Sequence, residues 1–100
     1  MAEKVRVLKD ESHTTRESLD FFLLNRGKLG HVKSARCNKG PLGHLLIKGK
    51  NAEMELTGAT CGYSGEGPRG TASILEELGV PAEDAVRLMQ EAAFEVLFEC

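Results

Sequence analysis

The apolar residues change period along the chain, and the changes mark its elements. Lys4 to Leu8 alternates, with Val5 and Val7 to one side, the period of a short strand. Thr14-Thr15-Arg16-Glu17 is a capping box, in which Thr14 accepts from the Glu17 amide and opens a helix. That helix is expected to run through Leu19, Phe22 and Leu23 to about Asn25, with Gly27 closing it in the left-handed conformation. A strand over His31 to Cys37 follows, then a turn at Asn38-Lys39-Gly40-Pro41. Leu45 to Lys48 and Glu53 to Thr57 flank Gly49-Lys50-Asn51 and predict a hairpin, with Lys48 or Lys50 facing Glu53 or Glu55.

After the hairpin the pattern breaks. Gly58 to Gly70 reads as a loop with five glycines and one proline. A short helix is expected from Thr71 to Leu78, ended by Gly79. Pro81 then opens a longer helix to about Glu99. The order β-α-β-β-β-loop-α-α predicts an α+β domain, with about four mostly antiparallel strands and helices packed on one sheet face. One hundred residues make a single domain, 1–100.

Composition narrows the setting. No apolar run approaches a membrane span, and the charged opening residues do not resemble a secretory signal. Cys37, Cys61 and Cys100 are odd in number and widely spaced, which points to reduced thiols in the cytoplasm. A metal set drawn from His31, Cys37, His44 and Cys61 lacks finger-like spacing, so no metal is expected. The net charge of −2 hides an asymmetry: seven Lys/Arg and no acids from Phe21 to Ala52, then ten acids against Arg69 and Arg87 from Glu53 onward. A basic segment of that kind suits an anionic partner, or is neutralised by the acidic part within the fold or across a dimer.

The candidate chemistry sits in Gly62-Tyr63-Ser64-Gly65-Glu66-Gly67-Pro68-Arg69-Gly70-Thr71. Glycines let a ligand approach bare amides, and a following helix N-terminus favours an anion. Arg69 offers a planar fork for phosphate or carboxylate, Tyr63 a stacking ring and Ser64 a hydrogen bond. Residues 65–70 match GxGxxG, but no second parallel strand is expected downstream, so a dinucleotide fold is rejected. The P-loop pattern fails because Pro68-Arg69 stands where Lys-Ser/Thr is required. Glu66 is either an acceptor for a ribose hydroxyl, a general acid or base, or a solvent-facing tip residue. No catalytic triad or carboxylate pair can be argued from spacing, and His13, His31 and His44 each stand alone.

In the terminal helix Ala82, Ala85, Val86, Met89, Ala92, Ala93, Val96 and Leu97 share one face. Phe94 and Phe98 then fall on the opposite, acidic side, among Glu83, Asp84, Arg87, Glu91 and Glu95, and suggest a homo-oligomer interface. So acidic a helix would repel phosphates in a DNA groove, which excludes duplex DNA as partner. The basic segment lacks interleaved aromatics for stacking single-stranded bases. The expected protein is a cofactor-free module that senses or sequesters a phosphorylated, nucleotide-like small molecule on loop 62–71, with basic residues of 26–50 closing the site. The alternatives are a small enzyme using Glu66, and a protein-interaction module whose loop is only structural.

Overall fold

The computed structural model describes residues 6–10, 14–38, 44–62 and 65–98. A five-stranded mixed sheet carries three helices. The order along the chain is β1 (Arg6–Lys9), α1 (Thr15–Asn25), a 3-10 turn (Arg26–Leu29), β2 (Val32–Asn38), β3 (Leu45–Gly49), β4 (Ala52–Leu56), α2 (Glu66–Glu77), α3 (Ala82–Met89) and β5 (Ala93–Leu97). In space the strands run β1-β4-β3-β2-β5. The β1–β4 pair is parallel and the other three pairs are antiparallel.

Several local expectations hold. Thr14 caps α1 by accepting from the Glu17 amide at 3.2 Å. The hairpin forms as read, with Lys48 opposite Glu53. Gly79 (φ 104) closes α2: its amide donates to the Glu76 carbonyl and the Val80 amide to the Leu75 carbonyl, the two bonds of a Schellman motif. The turn read at 38–41 lies largely outside the described residues.

Three expectations are corrected. The left-handed glycine after α1 is Gly30 (φ 69), one 3-10 turn later than Gly27. Residues 66–70 are the first turn of α2 rather than loop. The long terminal helix stops at Met89, and 93–97 is strand β5, paired antiparallel to β2 from Ser34↔Leu97 to Asn38↔Ala93. Residues 93–98 satisfy a helical stripe and a period of two equally well, and hydrogen bonding to β2 selects the strand.

Alternation along the strands separates two faces. Ala35, Cys37, Leu45, Ile47, Ala52, Met54, Leu56 and Phe94 are buried toward the helices, against Phe22, Ile74, Leu75 and Ala85. The opposite face is open and polar. The strand registers align Lys9, Glu55, Leu46, Arg36 and Glu95 in one row across it, and Val7, Glu53, Lys48, Ser34 and Leu97 in the next. Opposite charges face each other across three of the strand pairs, Lys9↔Glu55, Lys48↔Glu53 and Arg36↔Glu95.

Candidate functional site

The parallel pair β1–β4 fixes where a site can form. The carboxyl ends of both strands, the N-terminus of α1 and the N-terminus of α2 all meet at one end of the molecule. Asp10 follows β1 and is 3 % exposed. Its carboxylate accepts from the Thr57 amide at 2.9 Å, from the Thr57 hydroxyl at 2.7 Å, and from the Ser18 hydroxyl. The Ser18 oxygen in turn accepts from the Gly58 amide at 2.8 Å, and Thr15 donates to the Gly58 carbonyl at 2.8 Å. The network ties β1, α1 and the end of β4 into one rigid corner. The sequence reading missed Asp10, because a lone Asp after a short strand carries no signal until tertiary partners surround it.

The segment from β4 to α2 is also pinned. Ala59 accepts from the Leu45 amide at 2.7 Å, and the Thr60 amide donates to the Gly67 carbonyl at 3.2 Å. The Gly62 amide donates to the Met89 carbonyl at 2.8 Å. Gly62 is held at φ 87, a conformation that favours glycine. Thr71 is fully buried and donates to the Thr60 carbonyl at 2.6 Å.

The glycines divide by role. Gly67 and Gly70 are buried inside α2. A Cβ on Gly70 would collide with the Thr15 methyl of α1. A Cβ on Gly58 would collide with the Thr14 carbonyl and lie 2.7 Å from the Ser18 oxygen. These two positions are glycine because helix and loop backbones approach closely. Gly65, half-buried, stands just ahead of α2, and Glu66 and Arg69 are exposed on its first turn. Pro68 has no amide to offer, so the free N–H groups of this helix end belong to residues around Gly65 to Gly67. Tyr63 and Ser64 lie outside the described residues.

Several described residues of the basic segment lie away from this end. Arg26 donates to the Glu77 carboxylate at 3.0 Å and to the Glu77 carbonyl at 3.1 Å, at the far end of α2. Glu77 stands eleven positions along the helix from Glu66, about 16 Å. Lys50 is tied to the 3-10 end through its amide and the His31 carbonyl. Lys48 and Arg36 belong to the open sheet face. The positive stretch is therefore dispersed over three surfaces. Among its described residues Arg26 pairs with Glu77, and Lys48 lies in register with Glu53.

Three concavities among the described residues lie elsewhere. One, of about 100 Å³, sits on the open face among Ser34, Arg36, Leu46, Lys48, Glu53 and Glu95, and is too small for a nucleotide. The others lie at β5: about 310 Å³ beside Arg36, Ala93, Phe94 and Glu95, and about 280 Å³ where Phe98 meets Arg26, His31 and Leu78. His44 approaches Glu55 at 3.4 Å on the open face. Among the described residues no cluster of three His, Cys, Asp or Glu could hold a metal ion, and no helix is long and apolar enough to cross a membrane. Burial, followed by the hydrogen bond and charge of neighbouring Cys61, pushes the Cys37 thiol well above its ordinary range. Both thiols are buried and free.

Phe94 and Phe98 are not an exposed helical stripe. Phe94 is 9 % exposed in the core and Phe98 packs partly against it. Compared with known protein families, curated proteins and solved structures, the chain matches none.

Proposed function

We propose that the protein is a small cytoplasmic binding module that senses or sequesters a phosphorylated small molecule of the nucleotide class at the loop end. One observation carries this reading. The first turn of α2, with Gly65 half-buried and Glu66 and Arg69 exposed, opens at the same end as the N-terminus of α1 and the carboxyl ends of β1 and β4. Two helix dipoles then favour negative charge at one place, and Arg69 adds a bidentate donor. Gly62, Tyr63 and Ser64 precede this turn in the chain, and Glu66 is the acceptor for a hydroxyl of the ligand. The buried, unpaired thiols suit a reducing compartment.

A thermal-shift series over nucleotides and sugar phosphates tests the proposal. The wild type should gain melting temperature with one ligand class, and Arg69→Ala should abolish that gain while leaving the unliganded melting temperature nearly unchanged. Equal shifts in both proteins, or none in either, overturn it.

A protein-interaction role, with the glycine-rich segment purely structural, is favoured by a different observation: Gly58 and Gly70 are required by packing alone. Binding to nothing in the small-molecule series, combined with an intact fold, would select that reading.

A further inference from the structure

The two edges of the sheet differ. β1 is Arg-Val-Leu-Lys, half cationic, the kind of edge that discourages pairing with another chain. β5 is Ala-Phe-Glu-Val-Leu, with no proline, no lysine and a single acid. Among the described residues no strand pairs its outer side. Leu97 is 75 % exposed on it. We propose that β5 is a self-association edge: two copies of the chain pair antiparallel through β5, about a two-fold axis at Val96, into a continuous ten-stranded sheet. The proposal does not depend on the ligand reading above.

Backbone direction comes first. The Phe98 amide donates to the Lys33 carbonyl at 2.8 Å, and the register runs from Leu97↔Ser34 to Phe94↔Cys37. In an antiparallel ladder the polar groups alternate sides, so Phe94, Val96 and Phe98 point theirs to β2. The N–H and C=O groups of Glu95 and Leu97 therefore point outward, ready for a partner.

Side chains then choose the register. With the axis at Val96, Glu95 of each copy exchanges two backbone hydrogen bonds with Leu97 of the other, four in all. On the helix side Phe94 of one copy lies opposite Phe98 of the other, and Val96 meets Val96. Open grooves already flank these rings, one beside Phe94 and one beside Phe98. On the open face each Glu95 lies between Arg36 of its own copy and Leu97 of the other, so no like charges meet. An axis at Glu95 would set two carboxylates face to face, and an axis at Leu97 would lose the pairing of Phe94 with Phe98. Only the Val96 register is self-complementary, as a two-fold interface must be.

Light scattering of the full chain at tens of micromolar should give a dimer. Leu97→Glu places a carboxylate opposite Glu95 twice per dimer and should weaken association about tenfold or more, whereas Leu97→Lys places an ammonium there and should retain it. Position 97 is exposed, so both variants keep the fold. Glu95→Pro removes an outward amide without touching the β2 ladder and should give a folded monomer. A monomeric wild type, assemblies larger than two, equal effects of the Glu and Lys variants, or a dimeric Glu95→Pro would each overturn the proposal.

Discussion

Gly70 of α2 lies so close to the Thr15 methyl of α1 that the two helices touch through it, while the Thr15 hydroxyl donates to the Gly58 carbonyl at 2.8 Å. One threonine thus sets the spacing of α1, α2 and the end of β4. Gly70→Ala should cost about 1–3 kcal/mol by overpacking, despite the roughly 1 kcal/mol that alanine gains over glycine inside a helix. In a Thr15→Ser background the hydroxyl bond survives and the methyl is gone. There Gly70→Ala should be neutral or stabilising, a reversal of sign that urea unfolding of the four proteins would show.

The Asp10 corner predicts a local effect as well as a global one. Asp10→Ala removes the acceptor of the Ser18 hydroxyl and of the Thr57 amide and hydroxyl and should lower stability by about 2–4 kcal/mol. Asp10→Asn keeps an acceptor and should cost less. Native-state hydrogen exchange should show the Thr57 and Gly58 amides opening sooner in Asp10→Ala than amides of the β2–β3 pair.

Raised protonation of Cys37 gives the fold an alkaline limit. The folded thiol holds its proton above the ordinary value of 9.0, whereas the unfolded thiol releases it there. Above pH 9 the native state binds more protons than the unfolded state, so stability falls as pH rises, by up to about 1.4 kcal/mol per pH unit for one group. Below pH 9 this contribution is fully present. Cys37→Ala should lower stability overall but flatten the alkaline limb, as chemical unfolding at several pH values would record.

Phe94 and Leu97 should separate cleanly. Phe94 is a core residue, and Phe94→Ser should cost about 3–5 kcal/mol or abolish folding. Leu97→Ser, three positions on and exposed, should change monomer stability by about 0.5 kcal/mol or less. Circular dichroism melts at low concentration distinguish the two.

The chain's local signals were legible where one element decides its own shape. Thr14-Thr15-Arg16-Glu17 specifies a helix start by itself, and Gly49-Lys50-Asn51 specifies a turn between two strands that pair with each other. The misreadings arose where a distant partner decides. Ala92 to Phe98 fits either period, and β2, more than fifty residues earlier, settles it. No glycine or proline marks the end of α3, which closes instead by tight bonds from Gln90 and Glu91 to the Arg87 and Leu88 carbonyls. Gly70 suggested a loop because a sequence does not reveal that α1 lies against it. The charge asymmetry was legible as composition, but its meaning was not: chain order placed the basic residues together, and the fold dispersed them.

The parallel pairing of β1 with β4 has a temporal consequence. Arg6 aligns with Ala52, a separation of about 46 positions that encloses α1, the 3-10 turn, β2 and β3. During synthesis β1 leaves the ribosome long before the strand it requires exists. The β3–β4 hairpin can close locally within a few residues, and β2 can join it next. The Asp10 carboxylate and the Ser18 hydroxyl can bond each other early, but their bonds to Thr57 and Gly58 form only when those residues have emerged. β1 therefore precedes every other strand of the described sheet in synthesis, yet cannot join that sheet until β4 has been made.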